Sequence, residues 1–227
     1  MLSSAQQQHQ QPFSFPREYF FPPFFTRQTN LTTHHAQLVK WSALVLAYCR
    51  HHRIFKLFLS YSGAVAPIYS SSTTPSKTPT DQQDPSEPGE LFNNRKINRR
   101  LSLADIREVI DFLRKDGRAE YIYKSNGTTT TNMDTTAAPP PDGGGDVVWI
   151  FWRTPEEWAA VIEAWVEETG QRGSVLTLYE LTQGEATRGT EFHGLDSDLL
   201  QKALATVVKR GKAQIFGQED SQGVKFF

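Results

Sequence analysis

Much of what an enzyme or a membrane protein needs is missing from this 227-residue chain. Cys49 is its only cysteine, so no disulfide can form within the chain, and a reducing compartment is the natural setting. No apolar run reaches the roughly 18 residues that a membrane-spanning helix requires. The Gln- and Ser-rich start lacks the apolar core of a secretory signal, so the expected compartment is the cytoplasm. A charge surplus is also absent. Residues 1–152 carry 16 Lys and Arg against 13 Asp and Glu, a net of +3, and residues 153–227 carry 8 against 12, a net of −4. Binding along a phosphate backbone calls for a clear basic excess. The length allows one or two small domains.

No catalytic or metal-binding constellation stands out. His34, His35, His51 and His52 form two adjacent pairs, and neighbours on a helix do not face one another, so each pair is a poor chelate. Cys49 completes no zinc spacing. Glu156, Glu157, Glu163, Glu167 and Glu168 read as a solvated helix face whose N-terminal members complement the helix dipole. Thr177 to Glu180 offers no nucleophile with a base beside it. Gly143-Gly144-Gly145 sits in low complexity rather than between a strand and a helix, so it is no phosphate loop. The expectation is therefore no catalytic residue, no metal and no cofactor.

What the chain does have is helical punctuation. Thr33 is expected to cap a helix reaching about His52, with Leu38, Trp41, Val45 and Tyr48 on one face. Ser102 caps a second, with Asp105 at the capping-box position, Leu103, Ile106, Ile110 and Leu113 as its stripe, and Gly117 as its stop. Thr154-Pro155-Glu156-Glu157 is a capping box with proline in the first turn; Trp158, Ile162 and Trp165 follow at helical spacing, and Gly170 closes. Asp196 caps the last helix, which buries Leu200, Leu204 and Val207 and ends at Gly211. Two stretches cannot bury enough apolar surface to offset their ordering entropy. They are 70–90 and 125–146, read as flexible insertions, the first taken to begin at about 58. The stretch 57–69 is apolar without a clean period and receives no assignment.

A repeat runs through this pattern. Gly117-Arg118-Ala119-Glu120-Tyr121-Ile122 follows one capped helix, and Gly211-Lys212-Ala213-Gln214-Ile215-Phe216 follows the other. Each leads to a further strand candidate, Val147–Trp152 and Gly223–Phe227, and each unit is preceded by a longer helix. The order helix, short strand, short helix, helix, hairpin, used twice, is that of a winged helix. The predicted fold is α+β: a polar stretch 1–11, an extended Pro/Phe-rich arm 12–27, winged-helix domain 1 over 28–152 and winged-helix domain 2 over 153–227. Winged helices often read DNA with the third helix. Lys202, Lys209 and Arg210 on the last helix, and Arg95, Lys96, Arg99 and Arg100 before the second, keep nucleic-acid binding as the alternative. The aromatic arm points instead to a protein partner, with folding back onto the chain's own first domain as the other way its rings could find cover, and different rings could do each. Pro22 and Pro23 fix φ and push Phe21 to an extended conformation, which suits groove recognition, and each ring that finds cover is worth roughly 1.5–3 kcal/mol.

Phe21-Pro22-Pro23-Phe24-Phe25-Thr26, Leu91-Phe92-Asn93-Asn94, Thr154 to Trp158, Thr177 to Thr182, Glu191-Phe192-His193-Gly194-Leu195 and Gly223 to Phe227, in this order, resemble the family of vacuolar protein sorting-associated protein twenty-five, the small subunit of ESCRT-II. The likeness covers about 13–57 and 91–227. It implies a non-enzymatic subunit in the sorting of ubiquitinated cargo into multivesicular bodies, cytoplasmic and recruited to the endosome membrane indirectly, through its complex. It implies that Pro-Pro-x-Tyr-like segments dock on the two larger ESCRT-II subunits, and that the second winged helix, within 153–227, recruits an ESCRT-III subunit. Carried onto this sequence, Pro22, Pro23, Phe24 and Phe25 take the second docking motif, with Phe25 in place of Tyr. Phe15, Pro16 and Tyr19 take the first, with Phe15 where the motif has Pro.

Overall fold

The computed structural model describes residues 12–59, 90–125, 128–131, 146–217 and 222–227; the expectations for 1–11, 60–89 and 132–145 lie outside them. Two compact units form, Met1–Ile150 and Phe151–Phe227, and no described helix is long and apolar enough to cross a membrane.

Caps set the helix boundaries. Helix α1 (Leu31–His51) starts three residues earlier than expected, because the cap is Asn30, whose side-chain oxygen accepts the Thr32 and Thr33 N–H groups at 3.0 and 3.1 Å. Asn outranks Thr as a cap, and here its amide oxygen satisfies two otherwise unpaired donors. Helix α2 (Leu103–Lys115) is capped by Ser102, which accepts from Asp105 N–H. Its buried stripe is Ile106, Val109, Ile110 and Leu113, whereas Leu103, in the first turn at the end of that stripe, is exposed. Helix α3 (Pro155–Glu168) carries the reciprocal capping box of Thr154 and Glu157. Helix α5 (Ser197–Lys209) is capped by Asp196 and buries Leu200, Leu204 and Val207. Between α3 and α5, Thr177 and Glu180 form a second reciprocal box that starts the short helix α4 (Leu178–Gln183), which explains that pair without any catalytic role.

The repeat extends from sequence to hydrogen bonds. At the end of α2 the Arg118 N–H reaches the Leu113 carbonyl and Gly117 N–H reaches Arg114; at the end of α5 Lys212 N–H reaches Val207 and Gly211 N–H reaches Val208. Both are Schellman caps, and both need a left-handed residue, supplied by Gly117 at φ +68° and Gly211 at φ +72°. The sheets then match pair for pair. In the first unit β1 (Lys56–Phe58), β6 (Val147–Ile150) and β4 (Ala119–Ser125) lie side by side; in the second, β7 (Val175–Thr177), β9 (Gly223–Phe226) and β8 (Ala213–Phe216) do. Ala119 faces Ile150 as Ala213 faces Phe226, Ile122 faces Val147 as Phe216 faces Gly223, and Leu57 faces Val148 as Leu176 faces Val224.

Two departures from expectation concern the insertions. Leu57 and Leu59 are buried with Phe58 exposed between them, a two-residue period that makes 56–59 an integral edge of the first sheet. Thr128–Thr131 form β5, paired with β4 from Ser125↔Thr128 to Ile122↔Thr131, so this part of 125–146 is ordered. β-branched Thr favours strands, and the two residues left between Ser125 and Thr128 are Asn-Gly, the strongest two-residue hairpin signal. The element order of the second unit is the expected one. In the first, among the described residues, the short hairpin β2 (Asn93–Asn94) and β3 (Arg99–Arg100) stands where a short helix was expected.

Glu163 also departs from expectation. Rather than lying on a solvated face, its carboxylate accepts from Arg210 at 2.9 Å and Lys212 at 2.7 Å, tying α3 to the turn between α5 and β8. Burial raises its pKa, but the hydrogen bonds from Lys212 and Arg210 outweigh that and hold it below the ordinary glutamate value. A depressed carboxylate stabilises the fold above its unfolded pKa and loses that contribution as pH falls through the folded one. Second-unit stability should therefore decline below about pH 4.5, and denaturant titrations across that range should show a shallower decline for Glu163→Gln. Gly211→Ala should cost about 1–2 kcal/mol by the same measurement. An added Cβ there meets nothing within 4 Å, so the cost is conformational.

Candidate docking site

The arm is not extended. Arg17–Phe20 and Pro22–Phe25 are two 3₁₀ turns, with Phe21 alone extended between them at φ −103°, ψ 113°. Tyr19 N–H bonds to Pro16 O, Phe21 N–H to Glu18 O, Phe24 N–H to Phe21 O and Thr26 N–H to Pro23 O, at 2.9–3.1 Å. Proline fixes φ near −65°, a value that polyproline and 3₁₀ conformations share. ψ is left to tertiary contacts, and here these select the turn.

The turns sort the rings into two sets. Tyr19, Phe24 and Phe25, expected to meet a partner, are 3%, 6% and 5% exposed and lie in the core of the first unit. Phe24 stacks on Trp41 with centroids 4.4 Å apart and planes within 5°, Phe25 meets Trp41 edge-on at 5.2 Å, and Tyr19 meets Phe25 edge-on at 5.3 Å. The Tyr19 hydroxyl donates to the Glu90 carbonyl. Outside are Pro16, Phe20, Phe21, Pro22 and Pro23, with Phe20 43% and Phe21 61% exposed. The sequence reading did not single out Phe20 and Phe21 as contact residues. The signal available was their place at the joint between two Pro-started turns, where the chain changes direction.

A groove of about 430 Å³ lies between the start of the arm and α1, with Phe13, Phe15, Pro16, Phe24, Leu44 and Ala47 in its walls and the Lys40–Glu18 ion pair, at 2.7 Å, among its lining. Phe15 is half-buried and stacks on Tyr19 at 4.0 Å; Phe13 packs edge-on against Tyr48 and His51. His52 lies tilted against Tyr48 with centroids 4.3 Å apart, and burial, then repulsion from His51, holds its imidazole below the ordinary value. His34 is half-buried and bonded to Glu108 at 2.9 Å, while Arg27, where the arm leaves, reaches the same carboxylate at 3.1 Å. Arg95, Lys96, Arg99 and Arg100 are exposed on the β2–β3 hairpin, and Lys96 Nζ lies 5.6 Å from the Phe20 ring. The basic hairpin and the aromatic ridge thus form one surface.

Burial pushes the Cys49 thiol far above its ordinary pKa, so it supplies no thiolate, and among the described residues no group of three His, Cys, Asp or Glu is placed to hold a metal ion. On α5, Arg210 is engaged by Glu163, and Lys202 Nζ lies 5.9 Å from the Phe151 ring. Of the three cations expected on the last helix for nucleic-acid reading, these two therefore have neighbours within the second unit.

A family model described as ESCRT-II complex subunit matches residues 18–196. The chain belongs to the ESCRT-II subunit family. Proteins named vacuolar protein-sorting-associated protein 25 are similar along nearly their whole length. The one from Homo sapiens is 39% identical over 215 residues, covering 95% of this chain and 98% of its own. The one from Dictyostelium discoideum is 40% identical over 217 residues, covering 96% and 97%. Among solved structures, the crystal structure of subunit VPS25 of the endosomal trafficking complex ESCRT-II superposes with a TM-score of 0.68 at 26% identity, covering 93% of this chain and 98% of that one. The crystal structure of the endosomal complex ESCRT-II (VPS22/VPS25/VPS36) gives 0.66 at 27%, with the same coverage. This ESCRT-II family member therefore carries the mixed helix-and-sheet fold of its relatives and their place in vacuolar protein sorting.

Its arm should behave as two chemically distinct sets of rings. Phe24→Ala should destabilise the first unit by about 3–5 kcal/mol, whereas Phe21→Ser should stay within about 0.5 kcal/mol of the parent. Thermal denaturation of the chain alone checks both.

Proposed function

We propose that this ESCRT-II family member is a non-enzymatic assembly adaptor of tandem winged helices that joins counterparts of VPS22 and VPS36 through its N-terminal surface. The tandem winged-helix reading is supported by the matched registers of the two sheets and by the helix, strand, helix, helix, hairpin order of the second unit. The observation that carries the docking claim is the outward ridge of Phe20, Phe21, Pro22 and Pro23 on a frame whose inner rings are already buried. Four exposed apolar residues in a row are the kind of surface that marks a partner site. The Pro residues add apolar area at little conformational cost. Phe15 and Pro16 contribute through the groove. Tyr19, Phe24 and Phe25 act from within, by holding the ridge in shape.

The second part of the proposal is that the unit spanning 151–227 receives an ESCRT-III subunit, and that the assembled complex brings the chain to the endosome membrane for sorting of ubiquitinated cargo. The −4 balance of residues 153–227 favours a basic segment as its target, with charge governing the rate and orientation of encounter more than final affinity.

Both claims have direct tests. Co-purification of the chain with the two larger subunits should be lost when Phe20 and Phe21 are both changed to Ser while the fold is retained; undiminished assembly refutes the docking surface. Charge reversal in the second unit should weaken ESCRT-III binding more at low than at high salt, as read by titration at two ionic strengths. A salt-independent loss counts against the electrostatic part.

A further inference from the structure

We propose that two buried amides, Asn94 and Gln37, are positioning residues for docking: they hold the arm's two 3₁₀ turns in the shape that presents Phe20 to Pro23. This inference rests on the docking proposed above and adds the means by which the ridge is made rigid.

Main-chain carbonyls in a short apolar arm need donors, and once out of water they are costly without them. Each turn receives buried donors from a separate element of the first unit, and on the exposed side Gln28 adds donors to the Pro23 and Thr26 carbonyls at 3.0 and 2.8 Å. Asn94, 3% exposed at the base of the basic hairpin, donates from Nδ2 to the Tyr19 carbonyl at 2.7 Å. The Asn94 Oδ1 accepts the Lys96 N–H at 3.0 Å and the Ile97 N–H at 3.4 Å, so one side chain fixes the first turn and the hairpin beside it. Gln37, 8% exposed on α1, donates from Nε2 to the Phe24 carbonyl at 2.7 Å and the Thr26 carbonyl at 2.9 Å. Trp41 Nε1 donates to the same Phe24 carbonyl at 3.0 Å, so that oxygen accepts two bonds. The two clamped stretches, 19 and 24–26, bracket the four outward residues.

This placement has an energetic consequence. A free arm with the same sequence would sample many conformations and lose that freedom on binding. A clamped arm has lost it already, so the partner meets a fixed ridge and affinity rises without any added contact.

The test uses full-length chain with the two larger ESCRT-II subunits. Asn94→Asp keeps the acceptor for the hairpin and replaces the donor facing Tyr19 with a carboxylate oxygen; Gln37→Glu does the same to the Phe24 and Thr26 carbonyls. Two quantities are read: hydrogen exchange at the amides of Tyr19, Phe21, Phe24 and Thr26 in the free chain, and affinity for the larger subunits. The expected result is faster exchange in the arm, unchanged exchange in α2 and the second unit, and affinity reduced roughly tenfold or more. Should Gln37→Glu not fold, Gln37→Met, which removes the same donors without adding a charge and keeps a side chain of similar length, should give the same pattern at smaller amplitude. Faster arm exchange with unchanged affinity overturns the inference, and so does weakened affinity with the arm still protected. Failure of the docking surface is a separate result, because it appears as indifference of assembly to the Phe20 and Phe21 changes.

Discussion

The stack of Phe24 on Trp41 is the contact on which the rest of the first unit depends. Two parallel rings 4.4 Å apart, with the Trp41 ring nitrogen bonded to the Phe24 carbonyl, fix both the side chain and the main chain of the arm at one point. Phe25 and Phe92 close around the same indole. An arm fixed there in a 3₁₀ turn must send Phe24 and Phe25 inward and leave Pro22 and Pro23 outside. Function, on this account, is what remains exposed after the core has been satisfied.

Duplication provides the frame on which that surface sits. The two units share helix ends, strand pairings and even the Ala that begins each returning strand, Ala119 and Ala213. Their differences are confined to what each adds. The first adds the arm, the basic hairpin and the β5 extension; the second adds a reciprocal cap at Thr177 and the Glu163 tie to Arg210 and Lys212. A stable common scaffold with divergent edges is consistent with assembly work, in which each unit shows a different face to a different partner.

How far the sequence could be read follows from the range of the forces involved. Helix caps are local, so the Ser102, Thr154 and Asp196 starts and the Gly117, Gly170 and Gly211 stops were legible, as was the repeat they frame. Asn30 was missed in favour of Thr33, although Asn is the stronger cap and its side-chain oxygen serves two backbone donors. Asn-Gly before the Thr run was a local hairpin signal that low-complexity reasoning outweighed. That some rings of the arm could turn inward was legible; which ones do was not, because proline settles φ and not ψ. Trp41, Asn94 and Gln37 decide the rest from 11 to 75 residues away, the longest separation being that between Asn94 and Tyr19. Glu163 was misjudged for the same reason, since its partners lie 47 and 49 residues along the chain.

Hydroxyl-radical footprinting of the chain, free and within the assembled complex, tests the central claim most directly. Tyr19, Phe24 and Phe25 should be protected in both states, while Phe20 and Phe21 should be oxidised readily in the free chain and protected only after assembly. Ready oxidation of Phe24 and Phe25 in the free chain would contradict the account, as would Phe20 and Phe21 remaining equally reactive in the complex.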